Sequence, residues 1–503
     1  MANNYKLSES GVRELRLGTI VGYEGGNVDE LAKSGCDGDL KNQKHCLSAG
    51  TSCGHLVGVS QLALLKNSVV IDHGPSGCSS CFVGGKDDLK GLAKAFGREY
   101  QGPQIISTNL DESDTVFGAV DKIKTAVKLA YERHNPDVIF ITATCTSAII
   151  GEDIDGIVAE LNDQYPIPIG YCSCAGMRSQ VWASGFDAAA HAIAKTLVKP
   201  PKEKRRTVNF IDFYCQTSEV VTRYLNAIDL EPLYLNSYCS VEDYEHVGES
   251  IATTGLCTVL PSYLATYLEQ EYDVPYLKTH FGIGGSQEFE RWYLEIAEIA
   301  GKVPEAEAFL KEQNAIFRPR INELRARLEG KTALVVFGPG FTFDVARLLD
   351  ELGIKVVHGA TFHYDPKTDG ARKESMSHYD ELDFPVTVSE GLQYETYKLL
   401  QKYQPDILVA KNHGPQAFAS SFGVPSVCLS GLQLFGYDGV IHAANLLLEK
   451  LEGVNFVKKL SAHMSPRFSQ EFIDSDDYTL IEEVKVKKNK YKGTKTDANE
   501  IAV

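Results

Sequence analysis

The stretch "PDVIFITATCTSAIIGEDI", residues 136–154, decides the fold class. It contains an apolar run rich in β-branched residues, then a polar turn, then a helix-like pattern. Repeated units of this kind build parallel sheets covered by helices, so the sequence predicts an α/β protein of Rossmann-like, doubly wound parallel-sheet domains. The runs of the same type elsewhere are "SVVIDHG", "TVNFIDFY", "TALVVFGPG", "KVVHGATFH" and "PDILVAKNHG".

The length and two charged segments predict how these units divide into domains. A chain of 503 residues is too long for one ordinary core, since a domain takes roughly 100 to 200 residues. The segment "VKPPKEKRRTVNF" predicts a linker, and the charged helix "FRPRINELRARLEGK" predicts a second boundary. We therefore expect α/β domains at 1–203, 204–330 and 331–455, followed by a polar C-terminal arm at 456–503.

Composition and charge exclude several classes of protein. The net charge of −17 argues against nucleic acid or an anionic membrane as the main partner. No apolar run reaches the ~20 residues of a membrane helix, and the first residues lack the features of a signal peptide, so we expect a cytoplasmic protein. The segment "VVFGPGF" has neither GxGxxG spacing nor the Lys-Ser/Thr of a P-loop, so no nucleotide site is predicted.

The twelve cysteines carry the chemical information. In a reducing compartment they are better interpreted as core thiols, metal ligands or redox groups than as disulfides. Cys78 and Cys145 lie just past predicted strands, and Cys46 lies in a glycine-containing loop. Such turns let thiolates approach an iron-sulfur cluster closely. An isolated cytosolic cysteine is more often a small buried hydrophobe, so spacing alone leaves both interpretations open.

The residues around these three cysteines resemble a known family. "CLSAG", "HGPSGC" and "TATCTSAIIGEDI", in this order, are similar to the P-cluster-binding motifs of the nitrogenase component 1 superfamily, and the resemblance runs from about residue 40 to 450. It implies three Rossmann-like domains. It also implies that Cys46, Cys78 and Cys145 supply half the thiolates of a P-cluster-type iron-sulfur cluster at a subunit interface. Cys53 and Cys81 have no counterpart; for Cys53 an extra ligand remains an alternative, but a buried thiol is favoured.

A fourth cysteine resembles the cofactor-binding cysteine of the family's catalytic α subunits. Cys257 opens the segment "CTVLPSYLATYLEQEYDVPYL", which has the register of that cysteine at the head of a helix. By this resemblance it anchors a complex iron-sulfur cofactor related to the nitrogenase active-site cluster. A helix N-terminus also lowers the pKa of a cysteine, which favours the thiolate. The alternative is a buried cysteine at a helix start.

The chain departs from dinitrogen-reducing subunits at the second cofactor ligand. Where those subunits have a metal-binding histidine, "GLQLFGYDGVIHAAN" has Phe435, which cannot ligate a metal. His413, after a third-domain strand, is the first candidate to replace it, and His442, two helical turns beyond Phe435, is the second. A lone histidine is more often a structural group, so both remain candidates.

Other departures predict a remodelled pocket. Trp182 and Phe186 take the places of a glutamine and a proton-delivering histidine in the family's pattern. Gly54 and His55 stand where bulky aliphatics narrow the family's pocket, and Lys86 replaces an arginine. We expect a substrate that is larger than dinitrogen and partly apolar.

The resemblance implies a catalytic α-type (D) subunit of a nitrogenase-like, ATP-dependent two-component reductase. Its partners would be a β-type (K) subunit in an α2β2 complex and an ATP-dependent 4Fe-4S reductase homodimer. The best family match for the substrate is a small thioether, as in methylthio-alkane reductase, which releases methanethiol and a hydrocarbon. The alternatives are a dinitrogen-reducing α subunit and a non-enzymatic cofactor-assembly scaffold. Tetrapyrrole reductases of the superfamily would not need Cys257.

Overall fold

The computed structural model describes most of the chain. The described residues are 9–474 without 39, 43–52, 81–89, 92, 95–96, 98, 101, 103, 212–216, 279–281, 339, 370–383, 390–392, 412–413, 430–432 and 466–467.

Strands and helices alternate along the described residues. The strands are β1 (Gly22–Asn27), β2 (Ser68–His73), β3 (Gln104–Ser107), β4 (Val138–Ala143), β5 (Ile169–Cys172), β6 (Thr207–Ile211), β7 (Glu231–Leu235), β8 (Ala252–Gly255), β9 (Thr332–Phe337), β10 (Lys355–Thr361), β11 (Pro385–Ser389), β12 (Ile407–Ala410) and β13 (Ser426–Cys428). The α-helices are α1 (Arg13–Arg16), α2 (Val28–Asp37), α3 (Gly54–Leu62), α4 (Ser76–Ser80), α5 (Asp114–Phe117), α6 (Val120–His134), α7 (Cys145–Ile150), α8 (Ile154–Gln164), α9 (Ser184–Thr196), α10 (Ser218–Asn226), α11 (Val241–Glu245), α12 (Ser262–Tyr272), α13 (Ser286–Ala300), α14 (Val303–Leu328), α15 (Phe341–Glu351), α16 (Pro366–Asp369), α17 (Gln393–Tyr403), α18 (Gly414–Ser421), α19 (Gly436–Glu452), α20 (Val454–Ser461) and α21 (Gln470–Asp474). None of these helices combines the length and apolarity that a membrane crossing requires.

Three sheets organise these elements, and they confirm the predicted α/β fold with parallel sheets. Their strand orders are β3-β2-β4-β5, β7-β6-β8 and β1-β11-β10-β9-β12-β13. Every pairing is parallel except that of β1 with β11. The six apolar runs singled out in the sequence form β2, β4, β6, β9, β10 and β12.

The N-terminal strand departs from the predicted division of the chain. Residues 22–27, expected within a first domain at 1–203, pair with β11 as an antiparallel edge strand of the third sheet. The sequence "GYEGGN" gave no strand signal, because glycine and asparagine are depleted in strands. Long-range pairing therefore overrides a weak local preference here.

The packing of the sheet β3-β2-β4-β5 explains why the sequences of its strands are continuous apolar runs. Every residue of β2 and β4 is buried. Val70 and Phe140 pack on one side with α3 and α9, whereas Ile71 and Ile139 pack on the other side with α6 and α8. Helices thus cover both faces, which leaves the loops beyond the strands as the place for chemistry.

Candidate functional site

A buried histidine joins the two loops that carry Cys78 and Cys145. His73 ends β2, and its Nε2 lies 2.7 Å from Glu152 Oε2 in the turn after α7. Its Nδ1 lies 3.0 Å from Thr108 Oγ1. His73 belongs to the motif "HGPSGC" and Glu152 to the motif "TATCTSAIIGEDI". The contact between them holds the ends of β2 and β4 together. The histidine of "HGPSGC" therefore has a structural role.

Cys53 and Cys145 approach each other beside Gly176. Cys53 caps the N-terminus of α3, and its Sγ accepts the Leu56 N–H at 3.4 Å. Cys145 begins α7, and its Sγ accepts the Met177 N–H at 3.3 Å. A Cβ atom at Gly176 would lie 3.4 Å from Cys53 Sγ and 3.7 Å from Cys145 Sγ, so the two sulfur atoms are no more than about 7 Å apart.

The positions of the cysteines correct one expectation, that of a buried Cys53. Cys53 is exposed, so the preference for a buried thiol was wrong: an N-cap side chain lies outside the packed face of its helix. Cys78 is half-buried on α4, directly after β2, while Cys46 and Cys81 lie outside the described residues. The described residues contain no group of three or more histidines, cysteines or carboxylates placed to hold a metal ion.

Three exposed apolar side chains lie on elements that adjoin the two cysteines. Phe117 is 87% exposed, Ile149 is 74% exposed and Met177 is 56% exposed. Met177 donates its N–H to Cys145, Ile149 lies one turn beyond Cys145 on α7, and α5, which ends at Phe117, packs against α7. We call Cys53, Cys145, Phe117, Ile149 and Met177 the cysteine face. Clustered exposed apolar groups of this kind mark interaction surfaces.

His55 lies beneath the cysteine face. Its Nε2 makes an ion-pair contact of 2.9 Å with Asp72 Oδ1, and its Nδ1 lies 3.4 Å from Cys174 Sγ. Burial on its own would lower the pKa of His55, but the contacts with Asp72 and Cys174 outweigh it and raise that pKa to about 10. These partners belong to the first sheet and its loops, and the pocket role expected for His55 stays a prediction.

The second site lies where loops that follow strands of all three sheets adjoin, and we call this region the central cleft. Cys257 follows the carboxyl end of β8 and packs with Trp182, Phe186 and Val259. The rings of Trp182 and Phe186 lie 5.8 Å apart between centroids, edge to face. Helix α12 begins only at Ser262, so the expectation that Cys257 opens the helix was wrong and dipole stabilisation of its thiolate lacks support.

Loops after strands of the third sheet form another wall of the central cleft. A Cβ atom at Gly340 would lie 3.1 Å from the Thr258 hydroxyl oxygen, next to Cys257. A Cβ atom at Gly338 would lie 3.7 Å from Lys411 Nζ, at the end of β12. Burial lowers the pKa of Lys411, and the nearby Cys257 sulfur partly opposes that shift. His363, two residues beyond β10, lies with its ring 5.9 Å from the Trp182 ring.

One arginine ties the three walls together. Arg13 is fully buried and donates to Asp187 at 2.8 Å, to Asp365 at 2.9 Å and to the Val259 carbonyl. The sequence analysis missed Arg13, Lys411 and His363. Lys411 and His363 lie at the carboxyl ends of two predicted strand runs, so the rule that ligands bind beyond the carboxyl ends of strands could have found them. Arg13 carries no such signal.

Of the residues considered for the second cofactor ligand, the structure describes Phe435 and His442. The Phe435 ring is buried among Phe210, Phe289 and Trp292, with centroids 5.7, 5.4 and 4.8 Å away. His442 is half-buried on α19. His413 and Lys86 lie outside the described residues.

Comparison with known proteins identifies the family. Residues 53–452 match the family described as "Nitrogenase component 1 type Oxidoreductase". This chain belongs to that family. The nitrogenase-like chain is 26% identical over 401 residues to the nitrogenase molybdenum-iron protein alpha chain of Methanothermobacter thermautotrophicus, covering 76% of this chain and 83% of that one.

Two further similarities bear on the family assignment. The cofactor biosynthesis protein NifE of Clostridium pasteurianum is 27% identical over 392 residues, covering 75% of this chain and 82% of that one. The solved structure "Nitrogenase Cp1 at pH 5" has a TM-score of 0.66 at 19% identity, covering 84% of this chain and 92% of that one, which shows the shared fold. Because an alpha chain and NifE are about equally similar, sequence identity does not separate a catalytic subunit from a scaffold.

Proposed function

We propose that this chain is the catalytic α-type subunit of a nitrogenase-like reductase that cleaves the carbon-sulfur bond of small methylthio-alkanes. The observation that carries the proposal is the edge-to-face pair of Trp182 and Phe186, which packs beside Cys257 in the central cleft. An aromatic wall suits a methylthio group better than dinitrogen, because a methylthio group buries more apolar surface against the rings. Phe435 supports the same reading, since its buried ring cannot ligate a metal.

The thiols of the central cleft and of the cysteine face fit two separate metal groups. Cys257 would hold a complex iron-sulfur cofactor related to the nitrogenase active-site cluster, which supplies the electrons and the site of carbon-sulfur cleavage. Cys46, Cys78 and Cys145 would share a P-cluster-type iron-sulfur cluster with a partner subunit, and Cys53 would be an extra ligand. The backbone N–H groups that donate to Cys53 and Cys145 are the kind of contact that tunes such ligands. Cys53 is the candidate for the extra ligand because its sulfur atom lies no more than about 7 Å from that of Cys145.

The exposed side chains of the cysteine face support the proposal that a partner subunit binds there. Its exposed Phe117, Ile149 and Met177 would be covered by a β-type subunit in an α2β2 complex, which would also keep water from the cluster. An ATP-dependent 4Fe-4S reductase would deliver electrons to this complex. Two electrons and two protons convert dimethyl sulfide to methane and methanethiol, so the reaction balances without any further reactant.

The chain's own residues would position the substrate and a proton. Trp182 and Phe186 would exclude water from the methylthio group. Lys411, whose pKa is lowered by burial, lies on the wall formed by loops after strands of the third sheet and is placed to hold a proton for the leaving thiolate. Arg13 would keep the walls in register through its bonds to Asp187 and Asp365.

The deciding experiment supplies the anaerobic complex with its reductase partner, ATP and a low-potential donor. Ammonia, methane and methanethiol are measured with and without dimethyl sulfide. We expect methane and methanethiol in equal amounts with little ammonia, and we expect Cys257→Ala to abolish both products while the interface cluster's spectrum remains. Ammonia as the main product would show that the chain is a dinitrogen-reducing subunit.

The similarity to NifE favours one second candidate, a cofactor-assembly scaffold. A scaffold would release its cluster to an acceptor protein and form no product. Transfer of iron from the purified complex to an apo acceptor, without methane or ammonia, would support this role and contradict the enzymatic one.

A further inference from the structure

We propose that His363 is the second protein ligand of the catalytic cofactor, provided from the third-sheet wall of the central cleft. This inference rests on the proposed function, in which Cys257 provides the first ligand. It names a residue different from His413 and His442, the two candidates that the sequence suggested.

The imidazole of His363 is buried without a hydrogen-bond partner. The residue is 0% exposed, and neither Nδ1 nor Nε2 is hydrogen-bonded to any described residue. The Asp365 carboxylate oxygen lies 3.8 Å from Nε2, which is beyond hydrogen-bond length. Nearly all buried polar side chains in proteins are hydrogen-bonded, so two unsatisfied nitrogen atoms on one ring call for a ligand.

The ring lies beside the same wall as Cys257. His363 and Trp182 meet edge to face, at 5.9 Å and 86°, and Trp182 packs in one apolar cluster with Cys257. The neighbouring Phe362 borders Gly338, whose other neighbour is Lys411 Nζ. A metal group held by Cys257 would therefore have His363 as a nitrogen ligand from another domain.

The protonation state suits this role. Burial lowers the pKa of His363 to about 4, with the charges of Arg13 and Lys411 acting in the same direction and that of Asp365 opposing them. At neutral pH the ring is thus uncharged and has a free lone pair. A neutral imidazole is the form of histidine that binds metals.

His358, within β10 and five residues before His363, offers a matched control. It is also buried, and burial also lowers its pKa to about 4. In contrast to His363, its Nε2 lies 2.9 Å from Thr387 Oγ1 and its Nδ1 lies 3.4 Å from the Tyr403 hydroxyl. The two residues therefore share burial and charge but differ in whether their nitrogen atoms are satisfied.

The first test measures metal content and spectra of the purified complex. His363→Gln should lose at least half of the catalytic cluster's low-temperature EPR signal, or shift its g values, while the interface cluster's iron remains. His358→Gln should leave both unchanged. An unchanged cluster signal and metal content in His363→Gln, together with their loss in Cys257→Ala, would overturn this inference and leave the proposed function standing. Retention of the signal in Cys257→Ala would overturn both.

The second test needs no metal. In the full-length chain produced without clusters, His363→Leu should keep or raise the melting temperature, because no hydrogen bond is lost and an unsatisfied ring is removed. His358→Leu should lower it, because two hydrogen bonds are lost. If His363→Leu lowers the melting temperature as much as His358→Leu, or fails to give a soluble chain where His358→Leu succeeds, His363 has a structural role and the inference is wrong.

Discussion

The cysteine face and the central cleft place thiols in two different settings. At the cysteine face, Cys53 is exposed and its neighbours Phe117 and Met177 are largely exposed. In the central cleft, Cys257 is half-buried and is enclosed by residues from all three sheets and their loops. The first site is open on one side, whereas the second has walls that the chain provides itself.

This difference separates what the chain does alone from what it does with a partner. The cysteine face is carried by loops next to one sheet, so its geometry depends on local turns and on the His73–Glu152 contact. The central cleft depends on how three sheets pack, which Arg13 fixes through Asp187 and Asp365. A change at the face should therefore affect assembly, and a change at Arg13 should affect folding.

The largest expected effect is that of Arg13→Met. It leaves the Asp365 carboxylate buried without its cation, whereas Asp187 keeps Arg16 at 2.7 Å. Removing one partner of a buried ion pair costs about 3 to 5 kcal/mol, so we expect a loss of that size in the free energy of unfolding, measured by urea denaturation. Arg16→Met is the control, since Arg16 is partly exposed and Asp187 would keep Arg13. Equal losses in the two variants would contradict a special role for the three-domain junction.

A smaller effect, confined to assembly, is expected at the apolar part of the cysteine face. Phe117→Lys and Met177→Lys should each weaken binding of the partner subunit by about 30-fold, which corresponds to about 2 kcal/mol, because a charge replaces a buried apolar contact. The stability of the chain alone should change by no more than about 0.5 kcal/mol, since both side chains are exposed.

Ile316→Lys is the matched control for that measurement, because Ile316 is 59% exposed on α14. Titration calorimetry with the partner subunit gives the affinities. Similar losses of affinity in all three variants would mean that the cysteine face is not the docking surface.

The narrowest expected effect, a loss of iron from the complex, is at the thiols themselves. Cys53→Ala should reduce the iron content of the complex while changing the free energy of unfolding by less than about 1 kcal/mol, because the side chain is exposed. Cys46→Ala tests the assignment that the resemblance implies. Iron lost from Cys46→Ala but not from Cys53→Ala would favour the resemblance over the geometry.

Substitutions of two glycines next to the cysteines should differ in their effect on iron content. Gly176→Ala should also reduce iron content, since its Cβ would lie 3.1 Å from Cys53 Cβ and between the two thiols. Gly77→Ala, next to Cys78, should have little effect, because no atom of a described residue lies within 4 Å of its Cβ position.

The sequence by itself determined the sheets and the loops that carry chemistry. Runs such as "VIFITA" are buried along their whole length, so their composition directly reports a strand covered on both faces. The cysteine loops after β2 and β4 followed from the same pattern, because a strand's end is a local property. The resemblance also assigned Trp182 and Phe186 to the cofactor pocket, whereas their edge-to-face contact and their packing with Cys257 come from the structure.

Only the tertiary structure decided which distant residues meet. Cys53 and Cys145, Arg13 and Asp365, and His363 and Trp182 are far apart in sequence, and no local period connects them. The strand at residues 22–27 joined the third sheet for the same reason: its partner β11 lies hundreds of residues away. Local patterns encode burial and turns, whereas the burial of His363 against Trp182 arises because loops that follow strands of the first and third sheets pack together.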